Sequence, residues 1–403
     1  MTPVTALPTN RDENWRYTNL RPLAKARPEP ATPAPALELD LRAPLPGHER
    51  WVFIDGRFDA AHSIIGAVSP ASLSSARDGG AAFQSMLDGA IAAEGTDFAL
   101  ARINAQRGDH VLHIRLPDDA PAAALELHFL ASAPAADGTS YPRIQVQAGR
   151  NTRLSLIERH RSLGDADALV NAAVDLALAP GATVDHVRVQ CLGTSASVFD
   201  TLTAHVAQHA SYRLRTMTLG GNSSRSTLFI QLAGRGARCD LSAAAIANGT
   251  QTHDIFAEVD HSAPDTATRE LFRGIANERG KLAFNGKMIV RENAHGADSD
   301  QSLKSLLTGN GAEAAARPQL EIYTDKVRAK HGATTGKLDD QMLFYLLSRG
   351  MDRVTAQALL QWAFVEDAVS RVEPGELRRE IEALVAARLR AVSSLEGLLG
   401  DDR

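Results

Sequence analysis

Cysteine is almost missing: the 403-residue chain holds two, Cys191 and Cys239. Two thiols cannot make a disulfide framework, and they cannot by themselves hold a four-thiolate cluster. Aromatic residues are also scarce, at 5%. The core must therefore be built from thin aliphatic layers, with alanine and glycine supplying much of the apolar fraction. No run approaches the ~18–20 consecutive apolar residues of a membrane span. The first eight residues lack a basic segment leading into an apolar stretch, so export is not expected and the expected setting is the cytoplasm. A basic excess is missing too. With a net charge of −5 and a pI near 6.2, the chain does not read as a nucleic-acid binder. What is present, 44% hydrophobic and 23% charged residues, fits a globular protein of two or three structural units.

Proline is concentrated rather than abundant: nine of the 18 lie before residue 47. Proline fixes φ and has no amide proton, so residues 26–47 are expected to form an extended, mobile linker. Residues 14–20, before it, form a short amphipathic piece. After it, residues 51–54 and 57–58 flank Asp55-Gly56, a two-residue hairpin signal. Residues 60–100, rich in Ala, Ser and Gly, read as helical or irregular.

From about residue 100 to 310 the hydrophobic period is two. Val187, Val189 and Cys191 alternate with His186, Arg188 and Gln190, which places the first set in a core and the second outside. Leu202, Ala204 and Val206 alternate with polar residues in the same way, and Cys239 shares the parity of Leu241. Asn285-Gly286 reads as another hairpin turn. A corner recurs at Arg150-Asn151-Thr152, Pro180-Gly181-Ala182, Gln208-His209-Ala210, Arg235-Gly236-Ala237 and Ala263-Pro264-Asp265. Its third residues are spaced 30, 28, 27 and 28 apart. A regular turn at that interval points to stacked coils, a parallel β-helix, with an antiparallel sandwich as the competitor. Small side chains suit the narrow interior of a solenoid.

The tail is helical. Met342, Leu343, Leu346 and Leu347 lie on one stripe, with Gly350 placed to end the helix. A second helix over 354–369 has Leu359, Leu360, Ala363 and Phe364 as its expected apolar face. A third follows Pro374 and carries Leu377, Ile381, Leu384, Val385 and Leu389. The expected organisation is an N-terminal region over 1–100, a β-helix core over 101–338 and a C-terminal helical domain over 339–403.

Catalytic signatures are missing. No GxSxG elbow and no HExxH pair occurs. Gly332 to Leu338 imitates a phosphate loop but lacks one spacer residue, and Leu338 stands where a Mg²⁺-binding hydroxyl is needed. His110, His113, His205 and His209 read as solvent-facing strand positions. One stretch is denser in polar and glycine residues: 294–302, 318–322 and 330–336. Gly332 and Gly336 on either side of Thr334 and Thr335 suggest a tight turn. His331, just before it, offers a ring nitrogen for iron or for titration near neutral pH, or simply bonds its own loop.

At these residues the chain resembles a known family. Arg317-Pro318-Gln319-Leu320-Glu321-Ile322-Tyr323, Lys330-His331-Gly332-Ala333-Thr334, Leu338-Asp339 and Leu343-Phe344-Tyr345-Leu346-Leu347-Ser348-Arg349-Gly350 are similar to segments of the SufB/SufD family of iron–sulfur cluster assembly proteins. Trp15-Arg16-Tyr17-Thr18 and Val52-Phe53-Ile54-Asp55-Gly56-Arg57 resemble the N-terminal signatures of its SufD side, as does the low cysteine content. The likeness covers nearly the whole chain. It implies a right-handed parallel β-helix between helical ends, paired with SufB through the β-helices and bound to the ATPase SufC through the C-terminal helices. It also implies a scaffold rather than an enzyme, with ATP hydrolysis left to SufC. His331, Gly332, Ala333 and Thr334 match the partner interface, with His331 the candidate metal ligand. Phe344, Tyr345, Leu346, Ser348, Arg349, Gly350 and Phe364 match the SufC-docking region. No cofactor is expected to stay bound to this chain alone. Iron or a nascent cluster would pass through the complex, and a flavin in the complex or a homodimer of this chain alone is compatible with the likeness. Many relatives have cysteine two residues before the histidine, where this chain has Ala329, so ligands from SufB would have to complete the site. Two other readings stand beside this one: a β-helix enzyme acting on carbohydrate, and a structural homodimer with no cluster role.

Overall fold

The computed structural model describes residues 6–32, 39–75, 86–87, 89, 95–134, 137–164 and 166–389. Its centre is a parallel β-solenoid whose two walls are ten-stranded sheets. The N-terminal end comprises a short helix α1 (Arg21–Lys25), β1 (Glu49–Ile54), β2 (Arg57–Ile64), β3 (Ala71–Ser75) and α2 (Ala99–Arg107). β1 and β2 form the antiparallel hairpin read at Asp55-Gly56, with both residues at positive φ (48° and 83°). Residues 60–64 and 71–75, read as helical or irregular, are in strands. β2 pairs with β1 and β3 with β4, so partner strands override weak local propensity.

Successive half-turns follow as β4 (His110–Leu116), β5 (Ala123–Ala131), β6 (Thr139–Ser140), β7 (Arg143–Ala148) and β8 (Arg153–Ser162). The regular rungs are β9 (Leu169–Leu178), β10 (Thr183–Cys191), β11 (Ser197–Val206), β12 (Ser211–Thr218), β13 (Ser223–Leu232) and β14 (Arg238–Ala247). They continue through β15 (Thr252–His261), β16 (Ala267–Ala276), β17 (Lys281–Val290), β18 (Ala297–Leu307), β19 (Glu313–Ile322) and β20 (Val327–Gly336). Even-numbered strands from β8 onward build one wall and odd-numbered strands from β7 onward the other.

The repeat read from the sequence is the solenoid corner. Asn151, Gly181, His209, Gly236 and Asp265 all have positive φ, between 55° and 75°. Each donates its amide proton to a carbonyl of the next corner, for example Gly181 N to Gln208 O at 3.0 Å. The residue after each is small and fully buried: Thr152, Ala182, Ala210, Ala237 and Thr266. Asn, Asp, His and Gly are the types that tolerate the left-handed region. The fifth corner is one residue later than its triplet implied, because Asp265 rather than Pro264 takes the left-handed conformation.

The inward parity of β10 is the reverse of the sequence reading. Val184, His186, Arg188 and Gln190 point into the solenoid, while Val187 and Val189 point out, with Cys191 partly covered beside them. The reason is the tail. The helices α4 (Arg353–Val369) and α5 (Gly375–Arg388), preceded by α3 (Asp340–Ser348), lie on the outer face of the even-numbered wall. Ile157, Val187, Val189, Met217, Ile246 and Ile275 pack there against Trp362, Val365, Val369, Ile381 and Val385. Both faces of the wall are thus buried, and apolar residues on the outside no longer mark the core. Cys239 does point inward, as read.

Inside, one cluster of charges is mutually paired. Glu158 accepts from Arg188 Nε (3.3 Å) and sits against the rings of His186 (2.8 Å) and His160 (3.1 Å). Arg188 Nη1 reaches Asp200 at 2.7 Å, and Ser226 donates to the second oxygen of Asp200 at 2.8 Å. Burial alone would raise the Glu158 carboxyl; Arg188 and His186 hold it well below the ordinary value.

Asn285-Gly286 is not a turn. It lies within β17, in parallel register with β15 and β19. Gly286 faces inward, where a Cβ would come 2.8 Å from the Phe284 ring and 3.0 Å from both Gln301 Nε2 and Glu270 Oε2. The glycine is there for space.

The N-terminal segment straps the outer face of the odd-numbered wall. Trp15 is 1% exposed, donates to Asp97 at 3.1 Å and lies 4.6 Å from the guanidinium of Arg225, which is itself paired with Asp254. Trp15→Ala should cost about 3–5 kcal/mol, read as a lowered denaturation midpoint, since it removes the largest buried ring and uncovers Arg225. Of the expected linker, residues 33–38 lie outside the described residues. Its flanks are anchored: Ala31 N donates to Thr139 O (3.0 Å) and Leu45 N to Glu126 (2.6 Å).

Candidate functional site

The two ends of the solenoid differ. At the start, the chain turns antiparallel through β2 and β3. At the other end, β19 and β20 are the last strands of their sheets and, among the described residues, have one strand neighbour each. Edge strands keep one row of backbone N–H and C=O groups without a ladder partner, ready for another chain. The inward residues of β19, namely Ala314, Ala316 and Leu320, pack only partly against the core.

His331 lies in the middle of β20, exposed, and the register places it directly over Gln301 of β18. Ala329 stands over Ser299, and Ala333 over Leu303. Because Leu303 belongs to the core, Ala329, His331 and Ala333 share the inward face. The outward residues make surface ion pairs, Lys330 with Asp300 at 2.9 Å and Arg328 with Asp298 at 3.8 Å. The tight turn read at Gly332 to Gly336 is absent. Both glycines continue a straight edge strand, and nothing lies within 4 Å of where their Cβ atoms would be. Among the described residues, no hydrogen bond to the His331 ring is made from its own segment, so the ring is presented at the open end. Gly332 and Thr334 belong to the same edge.

Beneath His331 lies a feature the sequence reading missed. Gln301 is 1% exposed and Glu270, one rung further in, 3%. Gln301 Nε2 donates to Glu270 Oε2 at 3.0 Å. Burial pushes the Glu270 carboxyl up to about 8, with the Gln301 bond opposing. The available signal was parity, since Glu270 is two residues before Phe272, a core residue. Among the described residues, no three His, Cys, Asp or Glu side chains are placed to hold a metal ion.

The second surface is on the helical tail. Asp339 caps α3 by accepting from the amides of Gln341 and Met342. Gly350 ends it at φ 88°, as the sequence suggested. Of the expected stripe only Leu343 is buried; Leu346 and Leu347 are half-buried, and Met342 points out. Phe344 is 72% exposed and Tyr345 53%, and Val354 near the start of α4 is exposed as well. Arg349 stacks over the Tyr345 ring at 5.2 Å, and Ser348 donates to the Tyr345 carbonyl at 2.7 Å. Phe364 is only partly exposed and packs against the buried cluster between tail and solenoid. The buried side of α4 is Ala358, Trp362, Val365 and Val369, a face rotated from the one expected, since Ala363 is exposed and Leu360 half-buried. The third helix buries Leu377, Ile381 and Val385 as read.

The family model described as SUF system FeS cluster assembly, SufBD core domain, matches residues 129–364. The iron–sulfur cluster assembly protein SufD of Escherichia coli is 28% identical over 391 residues, which takes in 96% of this chain and 90% of that protein. A SufBD family iron–sulfur cluster assembly protein of Synechocystis is 24% identical over 417 residues, 95% of this chain and 87% of that protein. SufD of Plasmodium berghei is 27% identical over 242 residues, covering 60% of this chain and 18% of that longer protein.

Proposed function

The chain belongs to the SufBD family of the SUF iron–sulfur cluster assembly system, and from that membership we propose that it is a non-catalytic scaffold subunit, joined to SufB at the open end of its solenoid and to the SufC ATPase at its helical tail. The observation that carries this reading is the uncovered solenoid end. Two neighbouring edge strands, with small apolar residues and one histidine on their inward faces, fit the addition of a second solenoid better than solvent. In that assembly His331 meets iron or the nascent cluster as cargo, with SufB supplying the other ligands. The exposed Phe344 and Tyr345 rings make the tail a docking surface. His331 and Asp339 are eight residues apart, so force applied to the tail by ATP-bound SufC would reach the solenoid interface directly.

Co-expression with SufB and SufC tests the assembly. A complex of one copy of this chain, one SufB and two SufC is expected by native mass. Replacing Phe344 and Tyr345 together by serine should weaken SufC binding by roughly thirtyfold or more while leaving SufB bound. His331→Ala should lower cluster yield without moving the denaturation midpoint. A homodimer that never takes up SufC would instead favour a structural role without clusters.

A further inference from the structure

We propose that Glu270 is the internal counter-charge of the open-end site: a carboxylic acid when that end is empty, and a carboxylate once a divalent cation is held at His331. The inference rests on the reading that His331 meets iron, and it concerns what lies behind that residue.

The geometry is a column. Glu270 pairs in register with Gln301, and Gln301 with His331, across β16, β18 and β20. All three face inward, with the parity of Phe272 and Leu303. Neighbouring strands lie about 4.8 Å apart, so the carboxyl layer is about 10 Å behind the imidazole layer. Glu270 is sealed from solvent, yet its Oε1 has no hydrogen-bond partner. The residue lines an internal cavity of about 20 Å³ between the walls, shared with Thr216, Ser226 and Phe284, which is room for one water molecule. One oxygen therefore takes the Gln301 amide in either charge state, and the other is left to carry the proton.

Among the described residues, no cation compensates Glu270 from inside. On its own wall the inward neighbours are Cys239 and Leu241 of β14, Thr268 beside it, and Ser299 and Gln301 of β18. The opposite wall presents Ser226 and Leu228 of β13, Ile255 and Ala257 of β15, and Phe284 and Gly286 of β17. The titratable groups nearby are Cys239, whose thiol burial pushes up, His261 behind Thr268, which burial lowers to about 4, and His331 itself. Arg269 and Arg273 of the same strand point outward to Asp298 and Asp367. Burial thus keeps the carboxyl neutral while the end is empty. A divalent cation about 10 Å away, at an effective dielectric near 20, lowers its proton affinity on the order of a hundredfold. That is enough to change the dominant form near neutral pH. The step is a proton release: the Glu270 O–H bond breaks, the pair stays on oxygen, and the proton passes to bulk water. No electron moves.

Infrared difference spectroscopy reads the carboxylic acid directly. In the full-length chain a protonated-carboxyl band should be present near pH 6 and lost above about pH 9. It should be absent in Glu270→Gln, an isosteric variant that removes the charge and keeps the Gln301 bond. A wild-type spectrum without that band overturns the proposal. In the co-purified complex with SufB, anaerobic Fe(II) should abolish the band at neutral pH in wild type and leave it in His331→Ala. Fe(II) uptake, followed separately by iron analysis, distinguishes the failures. Iron bound through His331 with the band unchanged sinks the counter-charge alone. Iron uptake that ignores His331→Ala sinks the reading of His331, and this inference with it.

Discussion

Arg188→Leu is expected to destabilise the protein by about 3–5 kcal/mol, because it strands two buried carboxylates. Arg188 is 4% exposed and spans the solenoid, bonded to Glu158 on β8 and to Asp200 on β11. Removing the guanidinium leaves both acids without their cation in a dry interior. They must then ionise at a cost or take up protons. The pairing itself need not be a large net gain. Replacing Glu158, Arg188 and Asp200 together by uncharged residues of similar size should recover much of the loss. A surface pair gives the comparison. Arg235 and Asp265 are joined at 2.8 Å but are 62% and 56% exposed, so Arg235→Leu should change stability by no more than about 1 kcal/mol. Urea denaturation of the three variants checks this. Equal losses for Arg188→Leu and Arg235→Leu would show that the interior charges are solvated, contrary to the structure.

Glu270→Gln should do the opposite and stabilise the fold, increasingly so as pH rises. Burial pushes the folded carboxyl up to about 8 from the ordinary 4.5 of a glutamate. The native state therefore holds a proton that the unfolded chain gives up more easily. The stability contributed by this group is complete below about pH 4.5 and declines as pH rises toward about 8, at about 1.4 kcal/mol per unit. Near pH 7 the wild type should stand about 3 kcal/mol below a variant that cannot ionise. The urea midpoints of wild type and Glu270→Gln, compared from mildly acidic to mildly alkaline pH, should diverge across that window. Parallel curves would mean that Glu270 is ionised, or solvated, in the folded protein.

The solenoid was legible because its corners are chemically distinctive. Asn151, Gly181, His209, Gly236 and Asp265 tolerate the left-handed backbone, and the small residue after each lets the next coil close in. The facing of β10 was not legible. Val187 and His186 are both buried, one under α4 and α5 and one inside, and alternation cannot say which is which once both faces of a wall are covered. Gly286 imitated a hairpin because Asn-Gly is a turn dipeptide, whereas its real constraint, the approach of Glu270 and Gln301 from the other wall, is a long-range one. The three tail helices were legible in order, with residues 390–403 outside the described residues, but the buried stripe of the first was not, since Met342 is apolar and yet outside. His331 stood out through a family likeness. Its position over Gln301 and Glu270 depends on strand register, which spacing of about thirty residues in the sequence does not display.

The open end of the solenoid is where a second chain is expected to add its strands. Hydrogen exchange of the backbone amides of β19 and β20, in the free protein and in the complex with SufB, measures this most directly. Protection gained along residues 327–336 on binding, with the interior strands β10 to β14 unchanged, is the predicted result. A complex that forms while those edge amides exchange as fast as in the free chain would place the interface elsewhere and remove His331 from it.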